Sequence, residues 1–107
     1  MSIFYQLEHW FSKERENLEA QGFSVDFVKC KPTENTAAYF DVDIASLMAR
    51  VTIWESLEIN FDVFEIDGGK QIVADYYQCV EYIDIVKLLD ECFARLKELH
   101  NKSTTTF

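Results

Sequence analysis

The chain has 107 residues, 49% of them apolar, which suits one packed core and is too apolar for a disordered polypeptide. Nineteen Asp and Glu against ten Lys and Arg leave a net charge of −9, which disfavours binding to nucleic acid or to an anionic membrane surface. No apolar run approaches the roughly 18–20 residues that span a bilayer.

The elements follow in chain order. From Ser2 to Gln21, apolar residues at Ile3, Phe4, Leu7, Trp10, Phe11 and Leu18 make a one-sided stripe that predicts a helix, and Gly22 supplies its stop. This opening has no basic residue ahead of its apolar positions, so it does not read as a signal peptide, and a cytoplasmic address is expected. "FSVDFVK" alternates as a strand, with Phe23, Val25 and Phe27 on one face. After a connection at Pro32–Asn35, "TAAYFDVD" and "SLMARVTIW" alternate again through Ala38, Phe40 and Val42 and through Leu47, Ala49, Val51 and Ile53. A turn near Ser56 leads to a fourth strand through Ile59, Phe61 and Val63. Its apolar parity slips at Phe64 and Ile66, the mark of a bulge or twist. Asp67-Gly68-Gly69-Lys70 is a hairpin signal, and "QIVADYYQCV" is the fifth strand. From Tyr82 to Leu99 the helical period returns through Ile85, Val86, Leu89, Cys92, Phe93, Leu96 and Leu99.

The predicted order is α-β-β-β-β-β-α, with connections too short for parallel crossovers. The fold class is α+β: an antiparallel meander of about five strands with the N-terminal and C-terminal helices on one face. Residues 1–100 are read as a single domain and 101–107 as a flexible C-terminal tail.

The charge is concentrated. Residues 41–81 hold nine acids against Arg50 and Lys70, a net of −7, while residues 82–107 balance at four acids and four bases. If Phe40, Val42, Val51, Ile53 and Phe61 point at the helices, then Tyr39, Asp41, Asp43, Arg50, Trp54 and Asp62 point the other way, and Tyr76 is placed with them. A face mixing carboxylates with aromatics fits a basic partner: aromatics anchor, and carboxylates steer encounter and fix register. A solvated sheet face needs polar residues in any case, which is the plainer account of the same pattern.

Catalytic signatures are weak. Cys30, Cys79 and Cys92 are odd in number and lack metal or redox spacing, and are expected to be buried or half-buried thiols without a disulfide. His9 and His100 do not have the spacing of a metal pair. Asp41-Val42-Asp43 lacks the remainder of a calcium loop. Asp62 with Asp75 is a carboxylate pair that nothing singles out for acid–base work. Neither enzyme activity, a cofactor nor a bound metal is expected.

The order "FYQLEHWF…LEAQGFSVDF", "ARVTIWES", a DGG hairpin and "ADYYQCVEYIDIVKLLDECF" resembles the TriTu-type immunity proteins of bacterial polymorphic-toxin and contact-dependent growth inhibition systems. The likeness covers residues 4–99, and its most specific pieces are Gly22-Phe23-Ser24-Val25 and Thr52-Ile53-Trp54-Glu55-Ser56. In the family pattern a Gly often follows the Trp-Glu-Ser element, where this chain has Leu57. The resemblance implies a cytoplasmic, non-enzymatic antitoxin that binds the toxin domain of a cognate effector. The family name is linked to toxins that ADP-ribosylate elongation factor Tu, whereas the acidity fits the basic cleft of an RNase toxin. Expected contact residues, from the predicted exposed face, are Tyr39, Trp54 and Tyr76 as anchors and Asp41, Asp43, Glu55, Glu58, Asp62 and Asp75 as charge partners. The alternatives are an acidic nucleic-acid mimic that inhibits another basic protein, and a homo-oligomeric structural adaptor. Oligomeric state is not legible from the residues.

Overall fold

The computed structural model describes residues 2–104. Helix α1 (Ile3–Ala20) is followed by strands β1 (Ser24–Lys29), β2 (Ala37–Ile44), β3 (Leu47–Trp54), β4 (Glu58–Glu65) and β5 (Gln71–Gln78), then helix α2 (Tyr82–Thr104). The strands form one antiparallel sheet in the order β1-β2-β3-β4-β5, so the predicted meander and the α-β-β-β-β-β-α layout are what the chain adopts.

Local chemistry sets the ends of α1. The Ser2 side chain accepts from the Phe4 N–H, and at the other end Gly22 takes φ +98 while its N–H and that of Phe23 donate to the carbonyls of Glu19 and Leu18. That closure satisfies orphan carbonyls and needs a left-handed residue, which Gly supplies without strain. At the start of α2 the Asp84 carboxylate accepts from the backbone N–H groups of Val80 and Glu81, capping the helix and placing a negative charge in its first turn. The helix continues past Leu99 to Thr104, so the expected tail falls partly on its last turn and, beyond residue 104, outside the described residues.

Period-2 alternation places Phe40, Val42, Val51, Ile53, Phe61 and Val63 on one side of the sheet, each at most 1% exposed. Phe4, Leu7, Phe11 and Leu18 of α1 and Ile85, Leu89, Cys92, Phe93 and Leu96 of α2 join the same core. Edge-to-face ring contacts stitch the layers. Trp10 and Phe11 of α1 each lie 5.7 Å from Phe40, and Phe23 lies 5.1 Å from Phe93. Both helices therefore cover one face, and no layer of the described residues covers the opposite face.

Register shifts between Val63 and Phe64: Val63 faces Val73, but Phe64 faces Gln71, so Ile72 is the extra residue. The bulge lies where the sequence's apolar parity slips, but its extra residue belongs to β5: β4 stays in unbroken register with β3 through Glu65, so Phe64 is an apolar residue on the uncovered face. Two other turns carry side chains in the left-handed region. Ala45, in the two-residue β2–β3 connection, has φ 52, and Leu57, in the β3–β4 turn, has φ 70. Leu57 keeps a backbone conformation that Gly adopts most readily.

Candidate partner-binding face

The uncovered face reads as rows across the strands. One row runs Asp26, Asp41, Arg50, Asp62 and Ala74; the next runs Val28, Tyr39, Thr52, Asn60 and Tyr76; a third runs Ser24, Asp43, Met48, Phe64 and Gln71. Trp54 lies opposite Ala37, and Glu58 opposite Gln78, at the end of the sheet near the β3–β4 turn. Sheet twist leaves a concavity of about 460 Å³ in this face, bounded by Asp26, Asp41, Asp43, Met48, Arg50, Asp62 and Phe64.

Most of the expected contact residues share that face. Tyr39, Asp41, Trp54, Glu58 and Asp62 are half-buried, while Asp43 and Tyr76 are exposed. Glu55 is exposed but sits in the turn after β3, at the rim. Asp75 is on the other side. It faces Phe61 in register, accepts from Arg95 of α2 at 2.6 Å and from the Tyr77 hydroxyl at 3.2 Å, and so belongs to the helix-covered layer. The Asp62–Asp75 pair is consequently not a pair: the two carboxylates leave the sheet in opposite directions.

Arg50 is the base within the acidic row. Its Nε and Nη2 donate to the two oxygens of Asp41 at 2.7 and 3.0 Å, and its Cζ lies 4.0 Å from the centre of the Tyr39 ring. The Asp41 fork holds the guanidinium more firmly protonated than usual. Asp62 accepts from the Gln71 amide at 2.9 Å, and Glu58 accepts from the Ser56 hydroxyl at 3.1 Å. Partial desolvation and the neighbouring Glu58 raise the Tyr76 phenol above its ordinary value. Asp26, Met48 and Phe64 also bound the concavity and were not among the expected contact residues. Alternation in "FSVDFVK" already sets Asp26 opposite to Val25 and Phe27, and unbroken alternation along β4 sets Phe64 on the same face as Asp62.

Among the described residues, no group of three or more His, Cys, Asp or Glu is placed to hold a metal ion. The cysteines are free thiols. Burial pushes the Cys92 thiol up to about 12, and desolvation also raises Cys79, which makes both poor nucleophiles. Cys30 is exposed, contrary to the expectation of burial, because it lies just past the end of edge strand β1. No described helix is long and apolar enough to cross a membrane.

The chain is an open-faced α+β layer, with helices on one side and a sheet surface of carboxylates and aromatics on the other. Residues 5–95 match the family model of "Immunity protein TriTu", and the chain belongs to that family. It is thus an immunity protein, a member of a class whose role is to neutralise a toxin. No curated protein matches the chain.

Proposed function

We propose that this immunity protein acts in the cytoplasm, laying the uncovered sheet face across a basic surface of its toxin and blocking that surface by occupancy, with no chemical step and no cofactor. One observation carries this: Asp26, Asp41, Asp43, Glu58 and Asp62 point outward from the sheet together, against the single base Arg50. Carboxylates on a concave surface accelerate encounter with a basic protein, and desolvated aromatics then slow its escape. Tyr39, Trp54 and Tyr76 are the anchors of this surface. A toxin that cleaves RNA must hold phosphates in a basic cleft, so the charge favours an RNase effector of a polymorphic-toxin or contact-dependent inhibition system over an ADP-ribosyltransferase.

The test is co-expression with the toxin domain encoded beside this chain, followed by co-purification across a salt series. Growth rescue is expected, with a complex that loosens as salt rises and when Asp26 and Asp62 are changed together to Asn. Rescue by a complex indifferent to both changes would place the interface on another surface.

A further inference from the structure

Arg50 is an odd residue to keep at the centre of an acidic face. Its two chemical surfaces are already engaged within the chain, the N–H fork by Asp41 and the guanidinium plane by Tyr39. The plane is therefore held in one orientation, although 49% of the side chain is exposed. Two N–H donors are spent on Asp41, its one hydrogen-bond partner among the described residues, while a guanidinium has five to give. Arg50 lines the concavity, flanked in its row by Asp26 beyond Asp41 on one side and Asp62 on the other.

We infer that Arg50 fixes the register and selectivity of the toxin complex by taking an acceptor from the partner. This rests on the sheet face being the interface. Neighbouring strands lie about 4.8 Å apart, so Asp26 on β1 and Asp62 on β4 stand roughly 14 Å from each other. The complementary toxin surface then carries basic groups at about that separation, with a carboxylate or main-chain carbonyl between them for Arg50. A uniformly basic protein is attracted to the face but leaves the remaining Arg50 donors without an acceptor, and such a mismatch is how an interface rejects wrong partners.

The sign of one substitution decides this. Arg50→Met makes the face more acidic by one charge. If the face works only by summed charge, R50M accelerates association with the basic toxin domain encoded beside this chain and tightens the complex. If Arg50 takes an acceptor, R50M raises the dissociation rate and weakens binding about tenfold or more, although the surface has become more negative. Arg50→Lys, which keeps the charge but not the planar fork, falls between. The double variant D41N/R50M keeps the wild-type net charge and shows the same loss, which separates Arg50 from the freed Asp41. Thermal unfolding of each variant, with a midpoint close to wild type, assigns the change to the interface. Binding that is unchanged or tighter in R50M while D26N/D62N weakens it overturns the role of Arg50 and leaves the face as the interface. Binding indifferent to all of these variants overturns both.

Discussion

Arg95 Nη1 lies 2.6 Å from Asp75 Oδ2, and this ion pair ties the middle of α2 to the edge strand β5. The Tyr77 hydroxyl donates to the same oxygen at 3.2 Å, so Asp75 is engaged within its own chain and turned away from the acidic face. Asp75→Asn or Arg95→Ala should lower stability by about 0.5–1 kcal/mol, since the partners are 46% and 36% exposed in their side chains. In a domain of this size that is a midpoint shift of about 2–6 °C by thermal unfolding. Toxin affinity measured on the same samples should be unchanged. A loss of affinity at constant stability would return Asp75 to the interface.

Two turns hold side chains where Gly is at ease. Ala45 is exposed and has φ 52, so Ala45→Gly removes left-handed strain without removing any packing, and the gain exceeds the extra freedom given to the unfolded chain. Denaturant unfolding should show stabilisation of about 0.5–1 kcal/mol. Leu57 differs because it is half-buried against the core. There Leu57→Gly trades relief of strain against lost burial and should land within about 1 kcal/mol of the parent. Leu57→Val, which sets a β-branched residue at φ 70, should cost about 1–3 kcal/mol.

The strand faces and the core were legible because alternation in β2, β3 and β4 is clean: Phe40, Val42, Val51, Ile53 and Phe61 are apolar, and their neighbours are mostly not. The fifth strand had no such signal. Val73, Asp75 and Tyr77 alternate with Ile72, Ala74 and Tyr76, so both faces are mixed, and the bulge that inserts Ile72 resets the parity carried over from β4. Asp75 could not be sided from that pattern. Its partner Arg95 lies 20 residues further on, in a helix whose exposed positions offer several other charges. The role of Arg50 was hidden for a related reason. Its place opposite Asp41 and Asp62 follows from register, which depends on the two-residue turn at Ala45-Ser46 for Asp41 and on the turn at 55–57 for Asp62, neither with a strong hairpin signature.

Thiol chemistry gives a prediction with a definite sign. The folded state raises the Cys92 thiol from 9.0 to about 12 through burial, and also raises Cys79, Tyr77 and Tyr82, with desolvation the first cause in each case. A group whose folded pKa lies above its unfolded value contributes stability that is complete below the unfolded value and lost as pH climbs through the folded one. Stability should hold to about pH 9 and then fall steadily towards pH 12, the unfolded and folded values for Cys92. Cys92→Ala should make that decline shallower, though it lowers stability at neutral pH by leaving a small cavity. In native labelling with a thiol reagent, exposed Cys30 should react first and Cys92 only with unfolding. Rapid modification of Cys92 under native conditions would contradict its burial.

Core and face can be separated by a set of aromatic truncations. Phe40 is fully buried and touches Trp10, Phe11 and Phe27, so Phe40→Ala should cost about 3–5 kcal/mol and leave little folded protein. Tyr76 is 58% exposed, and Trp54 lies half-buried at the uncovered end of the sheet. Trp54→Ala and Tyr76→Ala should leave the thermal midpoint nearly unchanged and weaken the toxin complex about tenfold or more, chiefly through faster dissociation. Raising salt should instead act chiefly on association, because it screens carboxylates such as Asp26 and Asp43 that act before contact. Surface plasmon resonance on the two variants across a salt series resolves the two contributions. If Trp54→Ala lowers the midpoint sharply and spares the complex, the indole supports the fold and the aromatic anchor must be sought in Tyr39.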